Sequence, residues 1–151
     1  MSDPRSRDSY SNFSQITTRW HDNDVYGHVN NVVYYSFFDS AVNSVLIKHG
    51  GLDIHAGSLI ALVVSSSCDY HAPVAFPQIV EVGLAVSQLG SSSVHYQLAL
   101  FQLGQTQACA TGRVVHVFVD REQRRPAQIP AHQRELLSEL MCSADNHQSG
   151  T

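Results

Sequence analysis

The part of the sequence best suited to chemistry is a short run rich in Asp, Asn and Gly, from Asp22 to Asn31. Asn30 is a residue type that often caps helix N-termini, and a helix-like apolar pattern begins directly after it. The first backbone N–H groups of a helix lack intrahelical partners and can bind an oxygen that is becoming negative. Asp24 lies a short loop upstream, and Gly27 permits the tight path that brings it back. A carboxylate opposite such a helix end predicts acyl transfer.

Two other interpretations of this run follow from the residues alone. Asp24 could cap a turn while His28 is structural, because Asp and Asn favour turns for local reasons. The alternating acids Asp22 and Asp24 could also suggest a metal loop. However, Gly27 has the wrong spacing for a calcium loop, and apolar residues follow at once. We therefore predict no metal site.

A long buried helix is expected to position this loop, from Val32 to about Lys48. Its apolar residues recur at three- and four-residue steps, as in Tyr34, Phe38, Ala41 and Val45. Further apolar residues widen the stripe beyond half of the circumference, which is typical of a helix inside a core. Gly50 and Gly51 are expected to end it.

Strand-like runs surround this helix. One precedes it, at 13–20, and four follow, at 59–70, 79–89, 93–103 and 106–119. Turn residues at 90–92 and 104–105 predict hairpins, and a short helix is expected within 130–141. One long helix against an antiparallel sheet is an α+β arrangement. Because the sheet edges are long and unpaired, we expect a homodimer or homotetramer.

The bulk composition indicates a single domain. The chain has 151 residues, 43% of them hydrophobic, so we expect one domain at 13–142 between a flexible polar tail at 1–12 and a polar tail at 143–151. The net charge of −4 argues against a nucleic-acid partner. No run is long enough for a membrane helix, and an odd number of cysteines without CxxC suggests neither zinc nor disulfides. The expected location is the cytoplasm.

The string from Trp20 to Asn31 also resembles a known signature, D-x-D-x-x-G-H-V-N-N, of the 4-hydroxybenzoyl-CoA thioesterase family of hotdog proteins. The similarity continues into Tyr34, Tyr35 and Phe38 and, more weakly, over nearly all of the remaining chain. It implies the hotdog fold, in which a five-stranded antiparallel sheet wraps one long helix. It also implies an acyl-CoA thioesterase that needs no cofactor and acts as a dimer or tetramer.

By this resemblance, Asp24 is the nucleophile or the general base, and the backbone N–H near Asn31 polarises the carbonyl. His28 and Asn30 would order the loop around Gly27, and Tyr34 and Tyr35 would shape the acyl pocket. Related subgroups carry His or Tyr where this chain has Asn31, which leaves the acyl group open.

Cationic side chains and exposed hydroxyl or N–H groups could bind the phosphates of CoA. The candidates are Ser91, Ser92, Ser93, Arg124 and Arg125. The alternatives to a thioesterase are a hotdog dehydratase acting on hydroxyacyl or enoyl thioesters, and a domain that binds acyl thioesters without catalysis.

Overall fold

The computed structural model describes residues 3–141, so Cys142 and the expected tail at 143–151 lie outside the described residues. Five strands and two helices follow one another in the order β1 (Asn12–Thr17), α1 (Val33–Lys48), β2 (Leu59–Tyr70), β3 (Ile79–Leu89), β4 (Ser93–Gln102), β5 (Ala110–Asp120) and α2 (Ala131–Glu139). Single-turn 3-10 helices lie at Arg7–Ser9 and Trp20–Asp22.

The strands form one antiparallel sheet in the order β1-β3-β4-β5-β2. The edges are therefore β1 and β2, and the central strand is β4. The α+β class and the hotdog arrangement of a five-stranded sheet around one long helix are confirmed. β2 and β3 have the predicted bounds, and α1 begins one residue later than expected.

The core lies between α1 and one face of the sheet. Phe38, Val42 and Leu46 are fully buried on α1, where they meet the apolar residues of β3, β4 and β5. A Cβ atom at Gly112 of β5 would lie 2.5 Å from the Phe38 ring. The absence of a side chain at Gly112 therefore allows the helix to sit close to the sheet.

Two strand boundaries differ from the prediction by three residues or more, and three others differ by one. β1 ends at Thr17 because the next residues enter the 3-10 turn at Trp20–Asp22. β5 begins at Ala110 because the residues just before it pair elsewhere: Ala108 donates its N–H to the carbonyl of Arg5 at 2.8 Å. A prediction from strand propensity alone cannot detect such a long-range hydrogen bond.

The segment before β1 is packed, although the sequence suggested a flexible polar tail at 1–12. Tyr10 is only 6% exposed, and its ring meets Phe101 edge-on at 6.1 Å. Arg7 forms an ion pair with Glu81 at 2.8 Å and lies 4.5 Å from the ring centre of Phe13. One Tyr and one Arg thus hold residues 3–11 against the outer face of the sheet, despite the polar composition around them.

Neither helix within residues 3–141 is long and apolar enough to cross a membrane.

Candidate active site

The loop that carries Asp24 is a tight hairpin ahead of α1. Asn23 and Val29 form an antiparallel bridge, and Asp24 donates its N–H to the carbonyl of His28 at 2.9 Å. Gly27 has φ of +83°, a left-handed conformation that favours glycine. Gly27 therefore allows the chain to reverse between Asp24 and His28.

One of the two carboxylate oxygens of Asp24 holds this turn. Its Oδ1 accepts the N–H of Tyr26 at 2.9 Å, as in an Asx turn. Oδ2 has no hydrogen-bond partner within residues 3–141. The turn-capping interpretation thus describes one oxygen, while the other stays available on a partly exposed side chain.

Asp22, the first acid of the motif, is structural, and its role was missed in the sequence. Its side chain is 1% exposed and accepts the backbone N–H of Arg19 at 2.8 Å and its guanidinium at 2.9 Å. The carbonyl of Asp22 accepts the N–H of Asn30 at 2.9 Å. Asp22 therefore ties the two ends of the hairpin together. Arg19, three residues before Asp22, was the feature of the sequence that could have indicated this ion pair.

The turn that leads into α1 is held by Asn30. Asn30 Oδ1 accepts the N–H of Val32 at 3.0 Å, and the Asn30 carbonyl accepts the N–H of Val33 at 2.9 Å. The prediction that Asn30 is the helix N-cap is wrong, because the N-cap of α1 is Val32, which makes no side-chain capping hydrogen bond. Asn30 instead holds the turn that leads into the helix. The N–H of Asn31 has no acceptor within the described part of the chain, so it is free to bind an external oxygen.

A cleft of about 330 Å³ opens beside this helix end. Three of the predicted site residues, His28, Asn31 and Tyr34, line it. The other wall is the end of β2 and the turn after it, from Tyr70 to Pro73. Asp24, Gly27 and Asn30 belong to the adjoining hairpin and are not lining residues, and Tyr35 faces a separate cavity.

Tyr70 is the site residue that the sequence did not assign. Its hydroxyl donates to the carbonyl of Asn31 at 2.8 Å, and its ring meets Tyr34 edge-on at 4.9 Å. Desolvation, followed by a hydrogen bond with the Cys68 thiol, raises the pKa of Tyr70. Burial also raises the pKa of Tyr34. Both phenols therefore stay protonated at neutral pH, and Tyr70 remains a donor that orients Asn31.

Within residues 3–141, no group of three or more His, Cys, Asp or Glu side chains is arranged to hold a metal ion.

Comparison with known proteins identifies the family. A family model described as the thioesterase-like superfamily matches residues 18–137, which include the hairpin, the cleft and all of α1. The chain belongs to the thioesterase-like superfamily.

Three similar proteins illustrate the match to this superfamily. The crystal structure of the PA5185 protein from Pseudomonas aeruginosa PAO1 is 62% identical, with a TM-score of 0.91, and the match covers 92% of this chain and 97% of that one. PA2801 from Pseudomonas aeruginosa, described as a candidate thioesterase, is 29% identical with a TM-score of 0.77, and the match covers 82% and 95%. The YsmA protein of Bacillus subtilis strain 168 is 29% identical over 132 residues, covering 85% and 86%.

The candidate CoA residues lie far from the cleft along the sheet. Tyr70, at the cleft, pairs with Ala110 at the start of β5, whereas Leu59 pairs with Asp120 at its end. Arg124 and Arg125 follow Asp120, and Ser93 pairs with Val117 beside that end. Since β2 has 12 residues at about 3.4 Å each, the two ends lie roughly 35–40 Å apart. One copy of the chain does not bring these serines and arginines to Asp24.

Proposed function

We propose that this chain hydrolyses acyl-CoA thioesters to a carboxylic acid and free CoA, as its resemblance to the 4-hydroxybenzoyl-CoA thioesterases suggests. The observation that carries the proposal is the free N–H of Asn31, which lies at the start of α1 on the wall of a cleft, next to the hairpin that presents Asp24. A thioester carbonyl that receives this N–H would be polarised for attack.

In the proposed reaction, water adds to the thioester carbonyl carbon and the C–S bond breaks. Asp24 either removes a proton from the attacking water or attacks the carbonyl carbon itself, giving an anhydride that water then hydrolyses. The thiolate of CoA leaves with the proton. Oδ1 of Asp24 holds the turn, which leaves Oδ2 for this chemistry.

The proposal also requires a second copy of the chain. β2 is an edge strand, and Leu62, Val63 and Val64 are 37%, 49% and 60% exposed along it. We infer that two copies pair along β2 in antiparallel fashion. This pairing satisfies the unpaired backbone groups of β2 in each copy. Antiparallel pairing places the Leu59 end of one copy beside the Tyr70 end of the other. The candidate CoA residues, including Arg124 and Arg125, would then serve the site of the neighbouring copy.

The decisive experiment replaces Asp24 with Asn and measures thiol release from a panel of short, medium, long and aromatic acyl-CoAs. The amide oxygen can still accept the Tyr26 N–H, so the fold should be retained. We expect kcat to fall about 10²–10⁴-fold, as when a positioned base is lost. Asp53→Asn is the matched control, because Asp53 Oδ1 caps a similar turn through His55 and Ala56 outside the site.

Retention of wild-type kcat in Asp24→Asn would rule out the assignment of Asp24. A parallel assay of crotonyl-CoA hydration tests the dehydratase alternative, which predicts hydration without thiol release. Binding of acyl-CoA without turnover of either kind would instead favour a domain that has lost catalysis.

A further inference from the structure

The lining of the cleft beside α1 divides into two parts. His28 and Asn31 belong to the reacting end, next to the hairpin that presents Asp24. Val29 and Tyr34 are 5% and 3% exposed and begin a more buried part. Because the pantetheine arm of CoA carries amides that need water or hydrogen bonds, this buried part suits the acyl group better. We name it the acyl wall, and it comprises Val29, Tyr34, Tyr70, His71, Ala72 and Pro73.

Both phenols of the acyl wall already have hydrogen-bond partners in the protein. The hydroxyl of Tyr70 donates to the carbonyl of Asn31 at 2.8 Å and is also hydrogen-bonded to the thiol of Cys68. The hydroxyl of Tyr34 is hydrogen-bonded to the backbone of Val74. The two rings therefore contribute mainly their carbon surface to the cleft.

The third polar side chain of the acyl wall, His71, is also paired at both ring nitrogens. Its Nδ1 lies 2.6 Å from Nη2 of Arg5, and its Nε2 lies 3.0 Å from Oγ1 of Thr111. A guanidinium can only donate, so Nδ1 of His71 is the acceptor and Nε2 carries the proton. Each polar side chain of the acyl wall thus has a partner within the protein.

The carbonyl of Asn31 is the acceptor that Tyr70 keeps occupied. The N–H of Tyr34 reaches the same carbonyl only at 3.4 Å, which is long for such a bond. The N and O atoms of one residue lie within about 4 Å of each other. If the N–H of Asn31 holds the thioester carbonyl, a hydroxyl on the second or third acyl carbon comes near the Asn31 carbonyl. Tyr70 already fills this acceptor.

We propose that Tyr70 is a specificity residue: by occupying the carbonyl of Asn31, its hydroxyl makes the cleft select unsubstituted acyl groups over hydroxylated ones. A hydroxyl placed against the acyl wall loses water and meets no unpaired side chain that replaces it. The inference rests on the proposed thioesterase function and names its substrate class, acyl-CoAs without a hydroxyl on the second or third carbon.

The test uses two pairs of acyl-CoAs that differ by one hydroxyl, butyryl-CoA with 3-hydroxybutyryl-CoA and propionyl-CoA with 2-hydroxypropionyl-CoA. Calorimetric binding to the Asp24→Asn protein measures the preference without turnover, and thiol release from the Asp24 protein measures it in kcat/KM. We expect the unsubstituted member to be favoured about 10-fold in at least one pair, as for one polar group desolvated without a partner.

Tyr70→Phe should abolish or invert this preference, because the Asn31 carbonyl then becomes available to the acyl hydroxyl. The ring that packs edge-on against Tyr34 at 4.9 Å is retained, and Tm checks that the fold is intact. Any general loss of kcat from a less ordered Asn31 affects both members of a pair, so their ratio isolates specificity. Tyr96→Phe is the matched control, because Tyr96 is buried in β4 and does not line the cleft.

Equal binding within both pairs by the Asp24→Asn protein would overturn the proposal, as would a preference that survives Tyr70→Phe or that Tyr96→Phe removes equally well. If acyl-CoAs are hydrolysed while the members of each pair are treated alike, the thioesterase function stands and only this inference fails. A binding preference that depends on Tyr70, without thiol release from any acyl-CoA, would support the specificity role and contradict the hydrolytic function.

Discussion

Buried polar side chains in this protein differ in whether the fold supplies their partners. Asp22 is 1% exposed and is satisfied by Arg19, so it holds the hairpin rigidly. His116 is equally buried, but its Nδ1 has no partner within residues 3–141. A side chain of the first kind stabilises the fold, whereas one of the second kind costs stability unless something else binds it.

The effect of burying His116 should be visible in the pH dependence of stability. Burial holds its pKa below the ordinary value, so the unfolded chain takes up the proton first as the pH falls. His116 should therefore destabilise the fold progressively below about pH 6.5, and its contribution should not change above that pH. We expect Tm to fall less steeply between pH 6.5 and 5 in His116→Gln than in the wild type.

Differential scanning calorimetry across this range checks the prediction. His95→Gln, one residue from the position opposite His116 on β4, controls for the loss of an imidazole from the sheet. Parallel Tm curves for the wild type and His116→Gln would show that His116 does not couple to folding in this way.

At the level of elements, the start of α1 connects stability with function. Asn30 holds the turn before α1 through the N–H of Val32, and the neighbouring Asn31, whose N–H has no acceptor within residues 3–141, lines the cleft. Tyr70 of β2 fixes the same residue from the other side through its carbonyl. The helix end is thus held by two elements that are distant in sequence.

Removal of the Asn30 side-chain bond should affect both properties. Asn30→Ala should lower the free energy of unfolding by about 1 kcal/mol, as for one lost hydrogen bond, and reduce kcat more than it raises KM, because the polarising N–H loses its orientation. Urea unfolding and steady-state thiol release measure the two effects. Asn43→Ala, which removes a side-chain bond within the same helix to the carbonyl of Asp39, is the control and should leave kcat unchanged. An unchanged kcat in Asn30→Ala would separate this turn from catalysis.

At the level of the whole molecule, the two edges of the sheet are unequal. β2 exposes Leu62, Val63 and Val64 in succession, whereas the exposed residues of β1 are the polar Gln15 and Thr17. Long apolar edges are sites of strand pairing. The unequal edges favour β2 as the contact between copies.

A charge on this edge should separate the copies. Val64→Lys should shift the mass measured by light scattering from dimer to monomer, since a lysine on an edge strand opposes pairing. Thiol release should fall together with the dimer fraction, because the proposed CoA residues come from the neighbouring copy. Gln15→Lys on β1 is the matched control and should retain the dimer. A monomeric wild type, or a fully active monomer, would contradict the shared site.

The sequence by itself determined the elements and the motif loop. The bounds of β2 and β3 follow from alternation and α1 follows from its apolar stripe, because each of these signals is local. The helix cap was predicted at Asn30 but lies at Val32, because Asn30 holds the preceding turn instead. The packing of residues 3–11 escaped prediction because Tyr10 and Arg7 find their partners on strands some 70 to 90 residues away along the chain.

Only the tertiary structure decided which distant residues meet. It brought Tyr70 to Asn31, placed Tyr35 in a cavity apart from Tyr34, and put Arg124 at the far end of the sheet from Asp24. Strand order and register set these distances, and both arise from the pairing of segments far apart in the chain. Local spacing can propose the chemistry of Asp24, but the walls of its site are assembled by long-range pairing.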